Sequence, residues 1–289
     1  MITRPDAFAG AVLAWGVPRL RDLPWRRSRD PWAILVAEVM AQQTQVDRVV
    51  PRWGRFLDRF PTPAACASAP LGDVLREWHG LGYPRRARAL HSAAASVVEQ
   101  GGFPDTLEGL LALPGVGAYT ARAVLAFAYE SPAAVVDTNI ARVLARCSGE
   151  RLTPRRAQLL ADELCPVSEP WSWNQVMMDL GAVLCRPVPR CGECPVAGEC
   201  AWSLAGRPDP DPAVGSAGVS TRQARFEGSD RQARGRLMGR LVQGEVTLGD
   251  AAGVMGVDPG RSERLVDALV AEGLVVRTAD GGRELLRLP

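Results

Sequence analysis

The sequence predicts a mainly α protein that ends in a small winged-helix-like domain of mixed α and β structure. Apolar residues recur at helical spacing through residues 8–184, and short segments that contain proline or glycine separate the predicted helices. The run GRPDPDPAVGSAGVS follows, and its lack of an apolar period is typical of a flexible linker. We therefore expect a helical domain over 1–205, a linker over 206–221 and a second domain over 222–289.

The second domain is predicted from three short helical segments and a hairpin. Apolar periodicity favours helices at about 229–243, 247–256 and 261–272. Apolar residues then flank an Asp-Gly-Gly turn at 280–282, which indicates two paired strands. Three helices followed by a hairpin are typical of a winged helix.

Composition narrows the possible chemistry. The chain has 289 residues, enough for about two domains, and its 34 basic and 32 acidic residues leave a net charge of +2. The sequence contains no Lys, which excludes a lysine Schiff base, and only His79 and His91 could supply imidazole. Carboxylates and cysteines are the expected reactive groups. No apolar run approaches the roughly 18 residues of a membrane span, and we expect a cytoplasmic protein.

The segment 31–46 is predicted to form one helix that carries an acid and two amides on a shared face. Glu38, Gln42 and Gln45 stand at positions i, i+4 and i+7 of this segment. A solvated stripe is the simpler interpretation of such a face. An acid that meets a ligand is the alternative.

The sequence Leu-Pro-Gly-Val-Gly at 113–117 lies between two helical patterns. In such a hairpin, the backbone N–H groups of Gly115, Val116 and Gly117 and those of the next helix can converge on an anion. A DNA phosphate fits this arrangement, and it would position a duplex without reading its sequence. A tight helix connection without a ligand is the alternative.

Asp137 comes directly before a predicted helix and is well placed to cap it. Capping alone would explain the residue. The same hydrogen bonds are expected to lower the pKa of the carboxyl group and to hold it ionised, as a catalytic carboxylate requires.

Four of the seven cysteines fall within sixteen residues at the spacing C-x5-C-x2-C-x5-C. They are Cys185, Cys191, Cys194 and Cys200. Four thiolates without a nearby His favour an iron-sulfur cluster, and a zinc ion is the alternative. Arg186 and Arg190 lie in the first gap, where a bound metal centre would hold a basic projection suited to phosphates.

Seven motifs between about Leu23 and Ala201 occur together in one known family. They are LPW at 23–25, EVMAQQTQV at 38–46, GLGY at 80–83, LPGVG at 113–117, VDTN at 136–139, NQVMMDLGA at 174–182 and the cysteine run. With them the chain resembles the adenine DNA glycosylases of the helix-hairpin-helix (HhH-GPD) superfamily, which act on adenine mispaired with guanine or 8-oxoguanine. The resemblance implies a helix-hairpin-helix glycosylase fold, one 4Fe-4S cluster on the four cysteines, and a monomeric enzyme whose partner is double-stranded DNA.

The resemblance also implies a role for each matching residue. Glu38 corresponds to the general acid, Asp137 to the carboxylate that stabilises the oxocarbenium ion, and Asn139 to a residue that supports it. Tyr119 stands where related bifunctional lyases carry Lys, so lysine-dependent strand cleavage is not expected. The duplex would be contacted by Gln42, Gln43 and Tyr83, and the flipped adenine by Trp25, Arg26 and Asp179.

The chain departs from the family pattern at three places. Ala41 replaces a Leu that packs against the flipped base, and the first cysteine gap has five residues where six are common. Residues 222–289 do not resemble the Nudix-like domain that reads 8-oxoguanine in the family, so the opposite base is left open. The arginines between 222 and 240 could bind DNA phosphates instead, and a solvated basic face is the alternative.

Two other functions remain open from the sequence alone. One is a thymine or uracil mismatch glycosylase, because Tyr119 and the missing Nudix-like domain suit such enzymes too. The other is a catalytically inactive, cluster-bearing DNA-binding protein. That interpretation applies if the side chains of Glu38 and Asp137 do not face one cavity.

Overall fold

The structure is a computed structural model, and it describes residues 2, 4–216, 218–219 and 225–289. Arg222, the expected start of the second domain, lies outside the described residues. The helices are α1 (Pro5–Gly16), α2 (Pro31–Ala41), α3 (Val46–Arg59), α4 (Pro63–Ser68), α5 (Leu71–Trp78), α6 (Arg85–Glu99), α7 (Leu107–Leu111), α8 (Ala118–Ala128), α9 (Thr138–Ser148), α10 (Pro154–Leu164), α11 (Pro170–Val183), α12 (Ala201–Leu204), α13 (Asp230–Leu241), α14 (Ala251–Met255) and α15 (Pro259–Ala271). The strands are β1 (Val246–Thr247), β2 (Val276–Asp280) and β3 (Arg283–Arg287). The prediction of a mainly α chain with a small C-terminal sheet is confirmed. None of the helices in the described part is long and apolar enough to cross a membrane.

The chain divides into two compact units, and each is built from separate stretches of sequence. The first unit comprises Met1–Ile34, Asp105–Leu111 and Gly117–Arg222. The second comprises Leu35–Pro104, Ala112–Val116 and Gln223–Pro289. The second unit thus joins the C-terminal segment to helices that precede it by more than a hundred residues.

Helix α11 is central to the first unit, where it contacts α1, α8 and α9. Trp173, Met177 and Leu180 of this helix are buried. Gly16 allows the close approach of α1, because a Cβ at this position would lie 2.0 Å from a methyl carbon of Val176. The apolar core of this unit therefore holds α9 and α11 side by side.

The described part of the segment expected as a linker, 206–221, makes defined contacts within the first unit. The carboxylate of Asp211 forms an ion pair with Arg146 at 2.6 Å. The hydroxyl of Thr138 donates to the carbonyl oxygen of Gly218 at 2.6 Å. Such polar contacts do not require regularly spaced apolar residues, so the spacing of apolar residues cannot predict them.

The helix predicted over 31–46 is shorter in the structure. Helix α2 ends before Gln42, and Gln43 has a φ of 54°. A residue with positive φ cannot continue a right-handed helix. The prediction that Gln42 and Gln45 continue the helical face of Glu38 is therefore wrong.

The C-terminal segment of the second unit has the predicted winged-helix arrangement. Helices α13, α14 and α15 are followed by the antiparallel hairpin of β2 and β3, whose turn contains Gly281 and Gly282 at positive φ. The sheet has the order β1-β3-β2. Strand β1 is not predicted, because a strand of two residues is too short to show an alternating pattern of apolar and polar residues.

Glu272 connects the C-terminal segment to α6 within the second unit. Its carboxylate forms ion pairs with Arg85 of α6 and Arg234 of α13, and its carbonyl oxygen accepts from Arg88. Burial raises the pKa of Glu272, but the two arginines outweigh this effect and lower it to about 2. These ion pairs position α13 against the helical part of the unit.

Candidate active site

Glu38 lies in α2 and is only 7% exposed. Leu35 and Val39 of the same helix are also buried. The acid is thus enclosed by the protein and is not part of a solvated stripe. It belongs to the second unit.

Asp137 is the N-cap of α9 in the first unit. Its Oδ1 atom accepts a hydrogen bond from the backbone N–H of Ile140 at 2.7 Å, and its Oδ2 atom accepts one from the side-chain amide of Asn139 at 2.8 Å. The expected lowering of its pKa is nevertheless wrong in direction. Burial raises the pKa of Asp137, because the loss of hydration outweighs the hydrogen bonds that favour the ionised form.

Asn139 is held in turn by Arg142, which sequence analysis did not identify. The Nη2 atom of Arg142 donates to Asn139 Oδ1 at 2.9 Å and to the carbonyl oxygen of Gly181 at 2.7 Å. Its Nε atom donates to the carbonyl oxygen of Cys185 at 2.5 Å. A continuous chain of hydrogen bonds therefore joins Asp137 to the first cysteine of the run. A charged residue inside an apolar helical face is the signal that could have revealed Arg142.

The cysteine loop places its thiols within electrostatic range of one another. The pKa of Cys194 is raised to about 11, first by burial and then by the negative charge of Cys185, Cys200 and Cys191. Arg146 donates to the sulfur of Cys185 at 3.5 Å. Within the described ranges, no group of three or more His, Cys, Asp or Glu side chains forms a metal-ion site.

A fifth cysteine, Cys147 of α9, lies beside the loop. The thiol of Cys200 donates to the carbonyl oxygen of Arg146 at 3.3 Å, and its interaction with the thiol of Cys147 raises the pKa of Cys147 and lowers that of Cys200. Sequence analysis assigns no partner to Cys147, because the two cysteines are more than fifty positions apart. No spacing signal could have revealed the contact.

Arg186 and Arg190, in the first gap of the cysteine run, both have exposed side chains. The carbonyl oxygen of Arg186 accepts from Arg146 at 2.7 Å. The backbone N–H of Arg190 donates to the carbonyl oxygen of Leu184 at 2.9 Å. The loop backbone is therefore fixed at both arginines while their guanidinium groups reach solvent.

Arg26 and Asp179, both expected at the adenine, form a bidentate ion pair with distances of 2.7 and 2.9 Å. Arg21 adds a further contact to the same carboxylate at 2.6 Å. Although burial raises it, the pKa of Asp179 is lowered overall by these two arginines. The ion pair fastens the short 3-10 helix Pro24–Arg27, which contains the half-buried Trp25, to α11. It explains Arg26 and Asp179 without a bound base.

Arg86 joins the two segments that are expected to contact the duplex. It donates to the carbonyl oxygens of Val39 and Met40 at 2.9 and 3.2 Å, and also to that of Gln42. These groups lie at the end of α2, where helical carbonyls lack intrahelical partners. Arg86 therefore caps α2 and fixes the turn that carries Gln42 and Gln43.

The second amino group of the same guanidinium holds the loop of Tyr83. It donates to the carbonyl oxygens of Leu81 and Gly82, each at 3.1 Å, and its carbon atom lies 5.3 Å from the centre of the Tyr83 ring. Burial lowers the pKa of Arg86 to about 10. Sequence analysis missed this residue, because the carbonyl groups that it binds at the end of α2 are more than forty positions away in the chain.

The loop before α6 presents Tyr83 in an uncommon backbone conformation. Its φ is 48°, and Gly80 and Gly82 also have positive φ. Arg48 and Arg52 of α3 donate to carbonyl oxygens of this loop. The loop is thus held firmly while the Tyr83 side chain remains 36% exposed.

The hairpin at 113–117 uses glycine for a close approach. Gly115 has a φ of 75°, and a Cβ there would lie 2.6 Å from the Cβ of Ala89. The N–H of Val116 donates to the carbonyl oxygen of Leu113 at 3.1 Å, so this group is engaged inside the turn. Gly117, exposed, precedes α8 as its N-cap, and Tyr119 is half-buried in the first turn of that helix.

The chain is similar to known DNA repair proteins. The family model described as HhH-GPD superfamily base excision DNA repair protein matches residues 36–166. The adenine DNA glycosylase of Mycolicibacterium smegmatis is 41% identical over 280 residues, which cover 93% of each chain. That of Mycobacterium tuberculosis is 43% identical and covers 93% of this chain and 90% of its own. The human adenine DNA glycosylase is 40% identical over 69% of this chain, but only 40% of its own length is matched.

Solved structures give the same fold. A thermostable thymine-DNA glycosylase superposes with a TM-score of 0.67 at 28% identity and covers 70% of this chain and 97% of its own. An endonuclease III bound to DNA superposes with a TM-score of 0.61 at 24% identity, covering 70% of this chain and 98% of its own. Each mycobacterial alignment covers 93% of this chain, so the similarity to those two proteins continues into the C-terminal segment that contains α13–α15 and the small sheet.

Proposed function

Because this chain belongs to the adenine DNA glycosylases of the HhH-GPD superfamily, we propose that it hydrolyses the N-glycosidic bond of adenine mispaired with 8-oxoguanine or guanine in double-stranded DNA. The observation that carries this proposal is the 41% identity to an adenine DNA glycosylase over 93% of both chains. We further propose that it acts as a cytoplasmic monomer in base-excision repair.

Glu38 is proposed as the general acid. Adenine leaves the sugar readily only after a proton has neutralised the departing base. A buried carboxyl group on α2 can meet a base that has been flipped out of the duplex, away from bulk water. Once the base has left, the resulting carboxylate would accept a proton from the water that attacks the sugar.

Asp137 is proposed to stabilise the positive charge that develops on the deoxyribose. The N–H of Ile140 and the amide of Asn139 fix both carboxylate oxygens in place. Because burial raises the pKa of Asp137, its ionised form gains most when a cation forms beside it. The interaction is then stronger in the transition state than with bound substrate, as catalysis requires.

The product is proposed to be an abasic site in an intact strand. A phenol such as that of Tyr119 cannot form a Schiff base with the opened sugar, and the chain contains no Lys. We propose that Trp25, Arg26 and Asp179 border the adenine pocket, with the ion pair of the last two fixing its wall. The proposed duplex contacts are Gln42, Gln43, Tyr83, Gly115, Val116, Gly117, Arg186 and Arg190.

The four cysteines of the loop are proposed to hold one 4Fe-4S cluster, a group that crosslinks a loop and fixes its shape when it is bound. The chemistry of the four thiols suits such a cluster, because burial and then the neighbouring thiolates raise the pKa of Cys194, and a cationic metal centre would offset both effects. Arg146 would compensate further negative charge at Cys185. The exposed Arg186 and Arg190 would then be held ready for DNA phosphates.

Single-turnover base release from four duplexes tests the proposed function. We expect adenine to be released from A:8-oxoguanine and A:G pairs, and no base from T:G or U:G pairs. Release of thymine or uracil instead would identify a mismatch glycosylase of the kind that superposes on this chain. Binding of all four duplexes without base release would identify an inactive DNA-binding protein.

Replacement of Glu38 tests the general acid. In Glu38→Gln we expect duplex binding to persist and base release to fall by about a hundredfold or more, since an amide cannot donate the proton. Glu99→Gln makes the same chemical change at an exposed position of the second unit and should leave the rate unchanged. Base release near the wild-type rate in Glu38→Gln would remove Glu38 from this role.

A further inference from the structure

The first turn of α13 reaches the loop of Tyr83 within the second unit. The Nη1 atom of Arg231 donates to the hydroxyl of Tyr83 at 3.2 Å. Further along the same helix, a Cβ at Gly239 would lie 3.1 Å from the ring of His79. The C-terminal domain therefore packs directly on the loop that presents Tyr83.

A second aromatic side chain stands beside this contact. Phe226 precedes α13 and is 53% exposed, the largest apolar side chain of the described C-terminal domain to reach solvent so fully. The guanidinium carbon of Arg231 lies 5.2 Å from the centre of its ring. The carbonyl oxygen of Phe226 accepts hydrogen bonds from the N–H and hydroxyl of Ser229, which fix its backbone. Arg231 thus connects two exposed aromatic rings, and we call Tyr83, Phe226 and Arg231 the aromatic cluster.

The ion pairs of Glu272 support the packing of α13 on α6 behind the aromatic cluster. Glu272 binds Arg85 of α6 and Arg234 of α13, one turn of helix after Arg231. A carboxylate that is only 11% exposed and shared by two arginines holds the two helices in one arrangement. Phe226 and Tyr83 are therefore presented at a fixed spacing before any ligand arrives.

Exposed aromatic rings beside a guanidinium are the chemistry of base stacking. Nucleobases stack on aromatic side chains with about 1–3 kcal/mol per base, and arginine adds attraction to the phosphates. When adenine leaves the duplex, its partner base loses the hydrogen bonds of the pair and becomes accessible to protein side chains. An aromatic surface next to Tyr83, a proposed duplex contact, can stack on this unpaired base.

We propose that Phe226 stacks on a nucleobase of the strand that carries 8-oxoguanine or guanine, and that Arg231 holds Phe226 and Tyr83 at the spacing this contact needs. The winged-helix domain then contributes a DNA contact to recognition of the opposite strand. This inference rests on the proposed function, because that function defines which strand lies opposite adenine. The residues assigned to the contact come from the geometry of the aromatic cluster.

The test measures duplex affinity by fluorescence anisotropy with the full-length protein. The duplex carries 2′-fluoro-2′-deoxyadenosine, which resists hydrolysis, opposite 8-oxoguanine. In Phe226→Ala we expect the Kd to rise about tenfold, within the range for one lost base stack. Phe226→Tyr keeps the aromatic face and should bind within about twofold of wild type, as should Val167→Ala, which shortens an exposed apolar side chain of the first unit.

A stacking reporter separates this role from a structural one. With 2-aminopurine next to 8-oxoguanine in the same strand, binding of wild type and Phe226→Tyr should change the emission, and binding of Phe226→Ala should change it much less. Equal affinity and equal emission for wild type and Phe226→Ala would overturn the inference. So would a loss in Phe226→Tyr as large as that in Phe226→Ala, because the ring would then not be the cause.

The outcomes distinguish this inference from the proposed function. Adenine release by wild type is measured with the corresponding cleavable duplex. If wild type releases adenine and Phe226→Ala binds normally, the inference fails and the function stands. If wild type releases no adenine while affinity still depends on Phe226, the function fails and the DNA-contacting surface stands.

Discussion

Replacement of Arg86 by Met tests whether one guanidinium holds both loops that are proposed to enter the duplex. Met preserves much of the apolar stem and removes the donors that reach the end of α2 and the loop of Tyr83. The carbonyl oxygens of Val39 and Met40 are the most consequential acceptors, because those residues are 5% and 0% exposed and water cannot easily replace the lost donors. We therefore expect a large loss of stability.

The magnitude follows from those acceptors. A buried group left without its partner costs about 1–3 kcal/mol, so the two carbonyls together give roughly 2–6 kcal/mol. Removing the charge also relieves the desolvation that lowers the pKa of Arg86, which offsets part of this loss. We expect Arg86→Met to lower the free energy of unfolding by about 3 kcal/mol.

Urea unfolding followed by circular dichroism measures this change. The neighbouring Arg85→Ala is the control, because its side chain is 68% exposed and its ion pair should contribute at most about 1 kcal/mol. A loss below about 1 kcal/mol in Arg86→Met, or a loss equal to that of the control, would refute the reasoning.

Two further predictions concern the environment of Asp137. Because the pKa of Asp137 is raised in the folded protein, its contribution to stability is present at low pH and is lost as the pH rises through the folded value. Asp137→Asn should therefore gain in stability relative to wild type as the pH rises above about 4, and a difference that does not change with pH in urea unfolding would contradict this direction. Gly181→Ala should lose about 2 kcal/mol and slow base release, because its Cβ would lie 2.6 Å from the Cβ of Asn139. Gly10→Ala is the matched helical control, since no atom lies within 4 Å of its Cβ, and a loss in thermal stability as large there would show that the contact with Asn139 is not responsible.

The extent of α2 illustrates which parts of the fold local sequence can predict. The apolar period identifies the buried side of the helix, because it reflects side chains that all lie on that helix. The end of the helix is set by Gln43 at positive φ and by donors from Arg86, which is more than forty positions away. The spacing of apolar residues within 31–46 carries no information about donors elsewhere in the chain. The sequence-based prediction therefore extended the helix to Val46.

Asp137 combines one property that the local sequence predicts with one that it does not. Its capping hydrogen bond to Ile140 was predictable, since a cap involves residues three positions apart. The direction of its pKa was not, because desolvation depends on the helices that pack around it. The partnership of Cys147 with Cys200 is a further contact between distant parts of the chain, and spacing predicts only the cysteines that share one loop.

Three arginines of this Lys-free chain form bridges between separate segments that a Lys could not form. Arg26 holds Asp179, Arg86 holds two loops, and Arg142 holds Asn139 and the backbone at Cys185. Each task needs several donors in a fixed plane, which a guanidinium supplies and an ammonium group does not. Sequence reasoning assigns charged residues to the surface and therefore overlooked these positions, except where a motif identified Arg26. The segments proposed to recognise the base, the duplex and the sugar are thus each held by a guanidinium that bridges elements distant in sequence. A Lys at any of the three positions would keep the charge and lose most of the bridge.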